Sequence, residues 1–287
     1  ERRVAEAEKR RADTATFHTN YPLARLALKK ARLLAQGAIF FGQQGGMEQI
    51  LQVGREALSR LERGQEYRGQ PGRLNELAYE AENDGSVQPY YLYLPPDFVP
   101  SRKWPLIVFL HGYVPSITVL DPWVLPGEVC DIAGRNGCLL LIPYGRRNTD
   151  FQGVGEVDVI DTMRLVQKYY PIDEQRLYLS GVSMGGMGAW NLALRRPGQF
   201  AAVTPIAGHT DMLTWWGWPR DQVAPFKKWL IEWDNPIDLV MNARGQRFFV
   251  QHGADDQLIS VSQSRNMVAA ARDLGLQVEY HEYRGEG

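Results

Sequence analysis

From residue 106 onward, short and largely apolar runs recur at 106–110, 138–142, 177–179, 202–206 and 248–251. Runs of this length without polar alternation predict strands buried on both faces, because a solvated face would place a polar residue at every second position. Stretches with helical character, 157–170, 187–195 and 261–274, separate them. An alternation of strands and helices supplies the crossovers that parallel strands need, so the pattern predicts an α/β fold with a mostly parallel central sheet and helices on both faces. Ahead of this lie two more candidate strands, 74–79 and 88–94, joined across Asn83-Asp84-Gly85-Ser86. Residues that tolerate positive φ between two such runs predict a hairpin that opens the sheet. A last strand is expected over 278–283.

The first 63 residues have a different period. They lack strand alternation and are rich in Ala, Leu, Arg, Lys and Glu, all good helix formers. Met47, Ile50, Leu51, Gly54, Leu58 and Leu61 share one helical stripe, and an earlier helix carries Leu23, Leu26, Ala27 and Leu34. The break at 43–46 makes a helical hairpin the simplest account, with a structural task. Gly and Pro punctuate 64–72, so the expected division is a helical N-terminal extension, 1–72, and an α/β domain, 73–287.

Charge and composition narrow the function classes. With 32 basic against 33 acidic residues the formal net charge is −1, which gives no electrostatic case for a nucleic-acid partner. No apolar run approaches the roughly 18 to 20 residues that cross a bilayer, so a soluble chain with no membrane partner is expected. Cys130 and Cys138 are expected to be buried free thiols rather than a short-loop disulfide. The chain begins at Glu1, which leaves the compartment open, with a secreted or periplasmic placement favoured over a cytoplasmic one. The five histidines are dispersed and the cysteines form no C-x-x-C pair, so neither metal nor cofactor is expected.

The strongest chemical signal is Gly181-Val182-Ser183-Met184-Gly185, which follows one predicted strand and precedes a helix. A G-x-S-x-G run in that context holds the serine outward on a strained turn and makes Ser183 a candidate nucleophile. A serine also needs oxyanion donors. His111-Gly112-Tyr113 follows the 106–110 strand, so the backbone N–H groups of Tyr113 and Met184 are the expected pair, with His111 shaping the loop. Asp255 and Asp256, after the 248–251 strand, are the candidate acids. His209, Trp215 and Trp216 are candidate substrate-binding residues. The run that carries them, with Trp218, reads equally as an aromatic pocket wall or as a hydrophobic plug. Asp150, Gln152 and Glu156 either line the cleft or form an ordinary polar loop.

Together these motifs resemble the esterase branch of the α/β hydrolases that includes feruloyl esterases, acetylxylan esterases and polyhydroxybutyrate-depolymerase-like proteins. The resemblance covers about residues 88–287 and is carried by Tyr91-Leu92-Tyr93-Leu94-Pro95-Pro96, by 104–112, by 181–188, by Asn235-Pro236-Ile237-Asp238 and by 252–264. It implies the α/β-hydrolase fold and a serine carboxylic-ester hydrolase that passes through an acyl-enzyme. It aligns the H-G-x-x-D run with Asp256 as the acid. The family's catalytic histidine sits in a run like Y-x-G-x-G-H. This chain ends Tyr283-Arg284-Gly285-Glu286-Gly287, so the resemblance implies a histidine immediately after Gly287. His281 is the late alternative, and it falls inside the predicted last strand. The expected substrate is a small-molecule or polymer-borne ester, such as a feruloyl or acetyl ester of a plant polysaccharide. Two other readings compete: a serine peptidase of the prolyl-oligopeptidase type, which uses the same constellation on amides, and a hydrolase-like binding module.

Overall fold

A computed structural model of the protein describes residues 1–38, 46–122 and 127–285; most of the expected break at 43–46, and Glu286 and Gly287, lie outside them. The strands are β1 (Arg73–Glu80), β2 (Val87–Leu94), β3 (Trp104–Leu110), β4 (Leu139–Pro143), β5 (Ile172–Val182), β6 (Ala202–Ile206), β7 (Phe248–Gly253) and β8 (Val278–Tyr283). The helices are α1 (Arg2–Lys9), α2 (Ala15–Ala35), α3 (Met47–Glu62), α4 (Gly127–Arg135), α5 (Val154–Tyr169), α6 (Met184–Arg195), α7 (Met212–Trp215), α8 (Pro225–Glu232) and α9 (Ser262–Asp273), with a 3-10 helix at Pro236–Ala243. They compose a mixed, mostly parallel sheet flanked by helices, with a helical N-terminal extension: the α/β-hydrolase fold.

The chain divides into two compact units. One comprises residues 1–103, 114–147 and 158–171. In it β1, β2 and β4 are neighbours, antiparallel throughout, and the predicted hairpin closes with Glu80 opposite Val87. Gly85 takes the left-handed conformation there, φ 65°, as the turn requires. Three helices stand where a hairpin of two was expected, because Thr14 accepts a hydrogen bond from the Phe17 N–H and starts α2 afresh. Leu23, Ala24, Leu26, Ala57 and Leu58 from α2 and α3 form one apolar cluster with Ala78 and Val87. Cys130 and Cys138 are buried and are not joined in a disulfide, as expected.

The same unit holds a buried ion pair. Asp158 accepts hydrogen bonds from the Tyr79 hydroxyl at 2.5 Å and the Gly145 N–H at 2.8 Å, and Arg146 Nε stands 3.3 Å away. Arg146, at φ 57°, also grips Asp84 in the β1–β2 turn. Burial pushes the Asp158 carboxyl up to about 6, although Tyr79, Gly145 and Arg146 all favour its charged form. An unfolded Asp titrates near about 3.9, so the folded state binds the proton more tightly. Stability from this group is full below that value and is lost as pH rises through about 6. Arg146→Met strands the carboxylate without its cation and is expected to cost about 3 kcal/mol at neutral pH, with the deficit shrinking toward pH 4. Urea titrations of both proteins at several pH values measure it.

The second unit comprises residues 104–113, 148–157 and 172–287. Here β3, β5, β6, β7 and β8 lie side by side, every pair parallel. β5 is much longer than the expected 177–179, because its first half carries the exposed polar residues Glu174, Gln175 and Arg176, which hide the extension from an apolar pattern. The helix expected at 187 begins at Met184, directly after the serine. Three glycines in its first five residues conceal a helix start from propensity alone.

Candidate active site

β5 ends at Val182 and α6 begins at Met184, so a single residue turns the chain. That residue is Ser183, at φ 55° and ψ −118°, a conformation that side-chain-bearing residues rarely adopt. Its N–H donates to Ile206 O at the end of β6, and its carbonyl accepts from the Met187 N–H. The hydroxyl makes no hydrogen bond among the described residues, and the side chain is half-buried. The turn closes because its flanks lack side chains. A Cβ on Gly181 would lie 2.2 Å from Gly185 O, and one on Gly185 would lie 2.1 Å from Leu110 O. Gly186 and Gly188 let α6 approach the sheet, with a Cβ on either falling within 2.6 Å of Ile206 O or 2.8 Å of Phe151. Met184 is the first helical residue, so its N–H has no acceptor within the helix and adds to the positive helix end.

The chain leaving β3 runs alongside. A Cβ on Gly112 would be 3.7 Å from Ser183 Cβ, which brings the segment carrying Tyr113 beside the serine. The Tyr113 side chain points into solvent, 63% exposed, so any work for the site falls to its backbone. His111 is buried, its Nδ1 lies 2.8 Å from Gly112 O and its ring meets the edge of Phe151 at 5.0 Å. These contacts suit the loop-shaping task expected of it.

The two candidate acids after β7 have different partners. Asp256 folds its own turn: Oδ1 accepts the N–H groups of Leu258 and Ile259 at 2.8 and 2.9 Å. Asp255 reaches forward and accepts the Gly285 N–H at 2.9 Å, which ties the segment after β8 to the end of β7. His252 underlies this turn. Its Nε2 lies 2.8 Å from Ile259 O and 3.5 Å from Asp256 Oδ2, and its Nδ1 lies 2.7 Å from Ser264 Oγ. The nearer carbonyl takes the Nε2–H and the Ser264 hydroxyl meets Nδ1, so both ring nitrogens are occupied. Sequence reasoning missed His252 as an organiser of the turn; a polar residue inside an apolar strand was the available signal.

No histidine among the described residues is hydrogen-bonded to Ser183. His18 pairs with Asp13 at the start of α2. His281 lies on the exposed side of β8, opposite Gln251, against the Tyr283 ring at 4.3 Å.

His209 lies three residues beyond Ile206, the residue that accepts the Ser183 N–H. It is 7% exposed, and its ring stacks on Trp215 at 5.4 Å and 16°. Trp216 and Trp218 pair at 5.0 Å. Trp215, Trp216 and Trp218 remain 40 to 48% exposed, whereas Leu213 is fully buried. The plug is therefore Leu213, and the tryptophans face outward. Asn235-Pro236-Ile237-Asp238 proves to be a brace: Asn235 accepts the Met212 N–H and donates to Asp211 and Asp238, and Arg220 bridges Asp211 and Asp238. Gln152 donates to Asp234 O and Glu156 pairs with Arg195 and Arg196, which are structural tasks. Asp150 has no such partner among the described residues.

Among the described residues no group of three or more His, Cys, Asp or Glu is arranged to hold a metal, and no helix is long and apolar enough to cross a membrane.

Known proteins resemble parts of this chain. The sequence model of the prolyl oligopeptidase family matches residues 148–287, the part that carries Ser183 and Asp256. A protein of Bacillus subtilis named Uncharacterized peptidase YtmA is 24% identical over 192 residues, 61% of this chain and 72% of that one. The bifunctional acetylxylan esterase/xylanase XynS20E of Neocallimastix patriciarum is 29% identical over 137 residues, 43% of this chain and 18% of that one. The crystal structure of a thermostable esterase superposes with a TM-score of 0.55 at 27% identity, over 74% of this chain and 54% of that one. The chain thus spans only part of each of these proteins. It is related to the serine hydrolases of the α/β-hydrolase superfamily, whose members here act on esters or on peptide bonds.

Proposed function

We propose that the protein is a serine carboxylic-ester hydrolase that works through an acyl-enzyme on Ser183. The observation that carries this reading is the left-handed backbone of Ser183 between two glycines whose Cβ positions are filled by neighbouring backbone, a strained conformation of the kind that gathers at active sites. In this reading a base removes the hydroxyl proton as Oγ attacks the ester carbonyl. The N–H groups of Met184 and Tyr113 receive the oxyanion, and Asp256 steadies the protonated base. The alcohol leaves, and water then releases the acyl group. Purified full-length protein should hydrolyse p-nitrophenyl acetate and should be labelled at Ser183 by a fluorophosphonate; absence of both defeats the reading.

The finer assignment, to feruloyl, acetyl or related esters of plant polysaccharides, draws support from the outward-facing tryptophans and from the acetylxylan esterase relative. Trp216→Ala is expected to raise KM for an aromatic ester about three- to tenfold with little change in kcat, the loss of one aromatic contact. Unchanged kinetics on methyl ferulate would remove Trp216 from the binding surface. The prolyl oligopeptidase match favours a second reading, a peptidase using the same residues on amides. Parallel assays with p-nitrophenyl esters and aminoacyl p-nitroanilides separate the two.

A further inference from the structure

Helix α8 is amphipathic in the reverse sense. At 3.6 residues per turn Phe226, Trp229, Leu230 and Trp233 fall on one stripe, the spacing by which a surface helix ordinarily buries itself. Here that stripe is the exposed face: the four side chains are 64, 63, 60 and 60% accessible, and the helix has no buried residue. Lys228, Ile231 and Glu232, all half-buried, occupy the opposite side. Ties from that side fix the orientation, because Glu232 pairs with Arg220, which also holds Asp211 and Asp238, and Trp233 O accepts from Arg195. Single exposed apolar residues are ordinary on a protein surface, whereas a contiguous stripe marks an interaction face. Beside it, between α8 and the 3-10 helix, lies a groove of about 430 Å³ lined by Trp229, Trp233, Leu239, Asn242, Arg195 and Glu232.

Area and charge fit a second copy of the chain. An aromatic side chain carries roughly 150 to 250 Å², so at these exposures the stripe presents about 450 Å² of apolar surface. Homodimer interfaces are about 65% apolar, which makes this the apolar part of a contact of about 700 Å² per copy, close to the roughly 800 Å² of a stable one. Lys227 and Asp234 are seven positions apart, so they lie on the same edge of the stripe at opposite ends. Lys227 forms no ion pair among the described residues, and the Asp234 side chain is 40% accessible. Antiparallel pairing brings like edges together and sets each Lys227 against the Asp234 of the other copy. A lipid surface fits less well, since Glu232 and Asp234 balance the two lysines and leave no basic excess. A glycan would need free polar groups beside the indoles, and Arg195 and Glu232 are engaged by Glu156, Asp234 and Arg220.

We propose that α8 is the two-fold contact of a homodimer, in which two copies of this chain pack their α8 helices antiparallel and Phe226 of each enters the groove beside Trp229 and Trp233 of the other. The contact is independent of the chemistry at Ser183.

Sedimentation equilibrium of the purified protein should show the mass of one chain giving way to that of two, with a Kd on the order of micromolar. Trp229→Ser is expected to weaken the dimer about thirtyfold or more, the loss of a central aromatic anchor. Lys227→Glu, which sets like charges against Asp234, should weaken it about three- to tenfold. Neither side chain is buried, so the circular dichroism of both variants should match the parent. Near a two-fold axis a residue meets its own counterpart, so Leu230→Cys should let a short bis-maleimide link two chains, while the parent, with Cys130 and Cys138 buried, stays unlinked. A parent that is monomeric throughout, a dimer that Trp229→Ser leaves intact, or a Leu230→Cys protein that does not link each overturn the proposal. A monomeric parent that sediments with phosphatidylserine vesicles, or is retarded in a gel containing arabinoxylan, also overturns it and gives the face to lipid or to glycan.

Discussion

Ser183→Ala is expected to abolish fluorophosphonate labelling and to lower ester turnover by roughly 10⁴- to 10⁶-fold, the loss seen when a hydrolase nucleophile is removed. Folding should barely notice. The hydroxyl has no hydrogen-bond partner among the described residues, and alanine keeps the same positive φ, so the strain is neither relieved nor increased. A change within about 1 kcal/mol in urea unfolding is the expectation. The separation of the two readouts is what gives the experiment its force. A structural serine would show the opposite pattern, with stability moved and turnover spared. Asp256→Asn should follow it with a smaller rate loss, since it removes the charge that supports the base and not the attacking atom. Turnover by Ser183→Ala that matches the parent protein would end the assignment.

The second large effect concerns the turn itself. Gly185→Ala is expected to cost more than about 4 kcal/mol, enough to leave much of the protein unfolded at 25 °C. The three nearest atoms the new methyl would meet are all backbone: Leu110 O at 2.1 Å, Leu110 C at 2.6 Å and His111 O at 2.7 Å. A side chain can rotate aside; a strand carbonyl inside a sheet cannot move without breaking its ladder. Gly153→Ala is the matched control. Gly153 has φ 52°, yet its missing Cβ would meet nothing within 4 Å, so only the conformational penalty applies, about 1 kcal/mol. Urea midpoints for the two variants should therefore differ widely. Similar midpoints would mean that the close approach of α6 to β3 is not present in solution.

These two experiments address the part of the site that was legible from residues alone. Gly181 to Gly185 is one contiguous run, and its duty follows from the elements on either side of it. The same holds for the segment after β3, where Gly112 comes within reach of Ser183. The acid was half legible. Asp255 and Asp256 are adjacent and identical in type, and only their partners tell them apart: Asp256 holds the N–H groups of its own turn, and Asp255 holds Gly285, thirty positions along. The tryptophan run was likewise ambiguous, because composition cannot say which of Leu213, Trp215 and Trp216 turns inward.

What the sequence by itself determined is the order of strands and helices, the hairpin at its start and the serine at a strand-to-helix junction. Hydrophobic period and turn chemistry depend on neighbours a few residues apart, and such short-range signals survive in a bare string of letters. Only the tertiary structure decided which histidines are already occupied and which aspartate ties which segment. Those outcomes depend on groups brought together across tens of residues by packing, where burial and hydrogen-bond satisfaction choose among side chains that look equivalent in sequence.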